Sequence, residues 1–232
     1  MPSSMASSSC NCRFFVLNFV AMKLEDLASY SGQSVAIIGG SFDPIHYGHL
    51  LLGEQAGERY CVELVIFVPN RVSPLKSQES VSAAQDRYAM TELAVADNPR
   101  FAVCDCELDR PGPSYSIDTI RALQQRLPSE VEILFVTGAD AILELPEWRE
   151  PDAILGESQV VAARRPGFDL QRISAVLGPQ RASKIELLDM PMIDISSTDI
   201  RQLVRQSRSI RYLTPPVVVD YIMQHNLYQA VQ

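Results

Sequence analysis

No stretch of this chain is apolar over the ~20 residues that a membrane helix needs. The short apolar run Phe14 to Ala21 is interrupted by Asn18. Positive charge is also scarce: 20 lysines and arginines face 28 aspartates and glutamates, for a net charge of −8. That argues against nucleic acid or an anionic membrane as a partner, since both need a basic face. The five cysteines are odd in number and lack framework spacing, which argues against a disulfide scaffold. Cys104 and Cys106 fall on one face of an expected strand, which suits packing, and no protein-held metal is expected, since zinc wants four ligands. There is no internal repeat, and no Ser/Gly/Pro-rich linker after residue 34.

The 232 residues therefore read as an N-terminal extension, 1–33, followed by one domain, 34–232. The extension is Ser-rich at its start, and its only basic residue ahead of the apolar run is Arg13. It reads as a loose, disordered leader with Met22 as the more natural start, rather than as a secretory signal. A cytoplasmic protein is expected, and a homo-oligomer is compatible with the sequence. Any small anionic ligand must then find positive charge concentrated locally. Arg71, Lys76, Arg87, Arg164, Arg165, Arg201, Arg205, Arg208 and Arg211 are the candidates, most of them a solvated surface on the plainer reading.

What the chain does contain is an alternation. Apolar runs at Ser34–Ile38, Glu63–Pro69, Phe101–Cys104, Glu132–Thr137, Gln159–Ala163 and Lys184–Leu188 read as strands. Between and after them, helices are expected over His46 to about Tyr60, Ser82–Ala96, Ser116–Leu127, Ser196–Gln206 and Pro216–His225. Ser82 and Gln85 would form a capping box. Buried strands alternating with helices imply an α/β fold: a doubly wound, mostly parallel, Rossmann-like sheet with helices on both faces. Ligands in such sheets bind past the carboxyl ends of the strands. Gly39-Gly40, Pro69-Asn70 and Gly138 all fall there and should line one cleft.

Histidine is rare, three in the chain, yet two of them stand at positions 46 and 49. They follow Gly39-Gly40-Ser41-Phe42 and the dipeptide Asp43-Pro44, read as opening a helix. Two imidazoles three apart on a first helical turn face the same way. Helix N-terminal amides attract anions, and imidazoles there can donate to phosphoryl oxygens as charge develops. A two-histidine metal site is the rival reading, with Asp43 the only close carboxylate. A second constellation, Ile195-Ser196-Ser197-Thr198-Asp199-Ile200-Arg201, caps another helix and places Arg201 one turn in. By itself it is a cap; beside the histidines it reads as the second jaw of a triphosphate clamp.

These two motifs resemble the nucleotidyltransferases of the His-x-Gly-His superfamily. Between them lie Pro113-Ser114-Tyr115-Ser116-Ile117-Asp118-Thr119, Thr137-Gly138-Ala139-Asp140, Trp148 and Arg164-Arg165-Pro166-Gly167, and the tail carries Asn226-Leu227-Tyr228. In that order the set is similar to the bacterial nicotinate-nucleotide adenylyltransferases, over about residues 34 to 228. The resemblance implies adenylyl transfer from ATP to nicotinate mononucleotide, with Mg2+ carried on the ATP phosphates. It implies that His46, His49 and Arg201 serve catalysis. ATP would be held by Gly39, Gly40, Ser41, Phe42, His46, His49, Gly138, Asp140, Ser197, Thr198 and Arg201. The nicotinate nucleotide would meet Asn70, Lys76, Ser116, Ile117, Trp148 and Arg165, with main-chain amides near 116 and 117 on its carboxylate. One position departs from the family: Arg149 stands where many members carry an aromatic, which leaves ring stacking to Trp148.

Rival acceptors within the superfamily are nicotinamide mononucleotide and phosphopantetheine. Chain length and the Pro113-to-Thr119 block argue against phosphopantetheine, whereas nicotinate and nicotinamide differ by a single carboxylate. A non-catalytic nucleotide-binding regulator is a rival of another class, but a mere binder needs no donors aimed at a transition state.

Overall fold

The structure is a computed structural model that describes residues 20–72, 82–164, 169, 171–191 and 193–229. Among these, seven strands form one sheet: β1 (Ala21–Met22), β2 (Ser34–Gly40), β3 (Leu64–Pro69), β4 (Phe101–Cys104), β5 (Glu132–Gly138), β6 (Gln159–Arg164) and β7 (Ile185–Asp189). Their order is β1-β4-β3-β2-β5-β6-β7, and every pairing is parallel. The helices are α1 (Tyr47–Arg59), α2 (Ala84–Val95), α3 (Ser116–Gln124), α4 (Ala139–Ile142), α5 (Pro151–Glu157), α6 (Gln171–Leu177), α7 (Pro179–Ala182), α8 (Ser197–Arg205) and α9 (Pro216–Gln224).

Each central strand is apolar on consecutive positions because both of its faces are covered. On β2, Val35 and Ile37 enter one core with Ile117 and Ile120 of α3 and Ile154 of α5. Ala36 and Ile38 enter the other, with Ala56 of α1, Met90 of α2, Ile200 of α8 and Val218 of α9. From β2 the chain steps outward to β3 and β4, then returns to the far side of β2 for β5. The order reverses between β2 and β5, so the loops after these two strands part there and open a crevice. No helix among the described residues is long and apolar enough to cross a membrane.

The structure corrects three local expectations. The folded unit begins before residue 34: β1 pairs with β4, and Leu27 and Tyr30 are buried in the core. The stretch read as a loose leader is therefore, from residue 20 on, part of the sheet and its cover. Next, α1 is not opened by Asp43-Pro44; it starts at Tyr47 with His46 as its cap residue. Phe42 at φ 47° turns the chain, and the Asp43 side chain points inward to protein partners instead of capping the helix. Finally, α2 has no capping box and starts at Ala84. Ala83 holds the cap position, and Ser82, one residue before it, donates its hydroxyl to the Asp43 carboxylate while its carbonyl accepts from Arg87 Nε at 3.2 Å.

Candidate active site

The ends of β2 and β5 open into a cavity of about 750 Å³. Gly39, Gly40, Ser41, Phe42, His46 and His49 line one wall, Ser197, Thr198 and Arg201 another, and Gly138 the floor. A second cavity of about 340 Å³ shares Gly39, Gly40, Ser41 and Thr137 with the first and continues past Asn70, Ser116 and Trp148. A side chain built on Gly39 would meet nothing within 4 Å. Its face is thus open where the two cavities join.

The histidine turn is rigid for reasons that lie in its neighbours. Phe42 is almost fully buried and packs edge-on against His49, with ring centroids 5.0 Å apart, and against Phe67 at 5.9 Å. That packing holds a left-handed backbone position that a bulky residue otherwise avoids. His46 and His49 stack at 3.7 Å and 23°, so both imidazoles do face the same way. His49 Nδ1 accepts from the His46 amide at 3.3 Å. In a neutral ring this puts the proton on Nε2 and makes it a donor. A Cβ on Gly48 would lie 3.1 Å from two atoms of the His46 ring, so glycine leaves that imidazole room.

The second jaw is tied to the first. Ser197 Oγ donates to Pro44 O at 2.9 Å, Arg201 Nη1 to Asp43 O at 2.6 Å, and Thr214 Oγ1 to Ile45 O at 2.7 Å. Arg201 Nη2 donates to Thr198 Oγ1 at 3.2 Å, while its Nε is buried without a partner among the described residues. What Ser197 offers a ligand is therefore its amide at the start of α8 rather than its committed hydroxyl. Ser196 is the cap: its Oγ accepts from the Asp199 amide at 3.1 Å.

Sequence reasoning missed what lies beneath the turn. Asp43 is buried and receives Tyr228 Oη at 2.7 Å, the Ser82 hydroxyl, and Arg201 Nη1 at 3.7 Å. Burial first, and then the Asp43 charge, push the Tyr228 phenol well above its ordinary pKa. The carboxylate weighed as a metal ligand is a junction between the C-terminal segment, the entry to α2 and the clamp arginine. Arg87, grouped with the anion-binding candidates, is also buried: Nη1 reaches Ser41 O at 2.7 Å and Asn70 Oδ1 at 3.2 Å, and Nη2 reaches Arg71 O at 3.1 Å. No spacing signals either role, because the partners are backbone carbonyls and residues far along the chain. Arg164 pairs with Asp189 at 2.6 Å across β6 and β7.

In the smaller cavity, Ser116 opens α3, and Trp148 packs edge-on to Phe135 at 6.0 Å. Its Nε1–H is buried with no partner among the described residues, which packing alone would leave costly. Ile117 keeps its side chain in the core, so only its amide is open to a ligand role. Asn70 lines the cavity with Oδ1 engaged by Arg87. Asp140, expected at the nucleotide, is exposed on α4 and lines neither cavity. Lys76 and Arg165 lie outside the described residues.

Glu107 was not anticipated. It is buried at the wall of the smaller cavity, and its Oε1 accepts from Thr119 Oγ1 at 2.5 Å. Burial raises its carboxyl above the ordinary range, although Thr119, Ser114 and Arg110 pull it down. The native state then holds a proton that the unfolded chain has lost, so this residue makes stability fall as pH rises from the ordinary glutamate value through the raised one. Glu107→Gln should flatten that part of the stability–pH curve, measured by urea unfolding. An unchanged slope would show that Glu107 ionises normally in the fold.

Comparison with known proteins fits this geometry. A family model described as Cytidylyltransferase-like matches residues 37–203. A protein of Moorella thermoacetica named probable nicotinate-nucleotide adenylyltransferase is 44% identical, over 84% of this chain and 91% of its own. A protein of the same name from Roseiflexus castenholzii is 44% identical, over 86% of this chain and 99% of its own. A structure of Plasmodium falciparum nicotinic acid mononucleotide adenylyltransferase complexed with NaAD has the same fold, with a TM-score of 0.69 at 21% identity over 85% of this chain and 98% of that one. The Cytidylyltransferase-like match covers most of the domain, and the relatives align along almost their whole length; the chain belongs to this family and, within it, to the nicotinate-nucleotide adenylyltransferases.

Proposed function

We propose that the protein transfers the adenylyl group of ATP to nicotinate mononucleotide, giving nicotinate adenine dinucleotide and pyrophosphate, a step of NAD biosynthesis. The observation that carries this reading is the pair of cavities meeting at Gly39, Gly40, Ser41 and Thr137. ATP takes the larger, between the histidine turn and the start of α8, and the mononucleotide takes the smaller, with its pyridine ring beside Trp148.

A phosphate oxygen of the mononucleotide attacks the α-phosphorus of ATP. The new P–O bond forms as the bond to the β-phosphate oxygen breaks, and the electron pair leaves on pyrophosphate. The reaction needs no nucleophile from the protein. The chain supplies alignment and charge stabilisation. His49 Nε2–H and His46 face the transferred group, and Arg201 with the α8 amides of Ser197 and Thr198 holds the leaving phosphates. The Ser116 and Ile117 amides, at the start of α3, receive the ring carboxylate.

No group of three or more His, Cys, Asp or Glu among the described residues is arranged to hold a metal ion, and Asp43 is engaged by protein donors. Mg2+ is therefore assigned to the ATP substrate, whose phosphate oxygens suit it better than this donor set. Incubation with Mg2+–ATP and nicotinate mononucleotide should yield the dinucleotide and pyrophosphate in equal amounts. Pyrophosphate should not exchange into ATP until the mononucleotide or product is present. Exchange with ATP alone would replace direct attack by an adenylyl-enzyme.

A further inference from the structure

We propose that Arg149 sets the preference for a carboxylate over a carboxamide on the pyridine ring. The inference rests on the reaction assigned above and goes beyond it, to the origin of specificity.

The smaller cavity is poorly suited by charge to an anionic ring. Three carboxyl residues line it, Glu107, Glu144 and Glu147, on a chain of net charge −8. Arg149 is the only cationic residue that lines it among the described residues. Its guanidinium lies 5.0 Å over the ring of Tyr115, the residue that caps α3. Nη1 stands 3.3 Å from Asp118 Oδ2, in the first turn of the same helix, and Nε 3.8 Å from Glu150. The positive charge is thus stationed over the helix turn whose Ser116 and Ile117 amides receive the carboxylate. The Tyr115 face and the single contact to Asp118 hold it there without using all five guanidinium donors.

Carboxylate and carboxamide have nearly the same shape, so ring packing serves the two alike, and the paired amide donors favour the carboxylate, which accepts at both oxygens. The charge of Arg149 then sets how large the preference is. Burial raises the Glu107 carboxyl above its ordinary range, and Arg149 is the cation beside it on this wall. Asp118 and Glu150 both offset Arg149, so the preference is tuned by its partners. The side chain is half exposed, so salt should screen its effect.

The test is kcat/KM for nicotinate and nicotinamide mononucleotides in four proteins: wild type, Arg149→Gln, Arg149→Lys and Asp118→Asn. Arg149→Gln should lower the acid-to-amide ratio by about tenfold, chiefly through KM for the acid, with kcat little changed. Arg149→Lys, which keeps the charge, should retain most of the ratio. Asp118→Asn should raise the ratio, because it frees the guanidinium. High salt should compress the wild-type ratio. A merely structural latch between Arg149 and α3 would be weakened by both Arg149→Gln and Asp118→Asn, and both substrates would suffer together. An Arg149→Gln ratio equal to that of wild type would overturn this assignment and leave the reaction standing. Wild-type protein that used neither mononucleotide would overturn the reaction first, and this assignment with it.

Discussion

Replacing His49 with alanine should lower kcat by about 10²–10³-fold while KM for the mononucleotide changes little. The expectation follows from three features of the turn. The imidazole lines the ATP cavity rather than the ring cavity. Its Nδ1 is committed to the His46 amide, so Nε2 is the donor. Its ring is fixed between His46 and Phe42, so no reorganisation is needed as charge builds on the phosphoryl group. Steady-state kinetics with each substrate varied in turn reads the split. A proportional rise in KM at unchanged kcat would make His49 a ground-state binder. Near-normal values of both would make the histidine pair structural.

The second large effect is on the fold. Arg87→Leu should cost about 3–5 kcal/mol of stability, and lower the melting temperature by about 10 °C. Arg87 is almost wholly buried, and its guanidinium ties Ser41 O, Asn70 Oδ1, Arg71 O and Ser82 O into one knot. Burial lowers its pKa, and the nearby Asp43 partly opposes this. Leucine would leave several buried acceptors without a donor and a void beside them. Arg87→Lys should restore only part of the loss, since a single ammonium cannot span that fork. Urea unfolding checks both variants, and a loss below about 1 kcal/mol for Arg87→Leu would show that water replaces the guanidinium.

The two histidines, the glycines beyond β2 and the serine-capped α8 were legible because their information is local. A short apolar run, a glycine pair and a cap residue each act within a turn of themselves. Strand positions could be read because burial on both faces removes polar residues from them. The expectation that Ser82 caps α2 failed because a distant residue, Asp43, takes both its amide and its hydroxyl as donors, and the helix begins one residue further on, with Ala83 at the cap position. The assignment of Asp140 to the nucleotide rests on resemblance alone; it is exposed on α4, and Gly138 lines the cavity. Asp43, Tyr228 and Arg87 could not be placed from spacing, since each has partners far along the chain, and Glu107 could not because its burial depends on the packing of α3 and the cavity wall. Their environment decides whether a charged residue holds a ligand or holds the site.

On the proposed reading, the histidine turn and α8 clamp ATP while the adjoining cavity selects the acceptor. Its most direct test is the rate of pyrophosphate release from Mg2+–ATP with nicotinate mononucleotide, nicotinamide mononucleotide or phosphopantetheine as acceptor. Pyrophosphate should be released with the nicotinate form, more slowly with the nicotinamide form and not at all with phosphopantetheine. No release with any of them, or fastest release with phosphopantetheine, would contradict it.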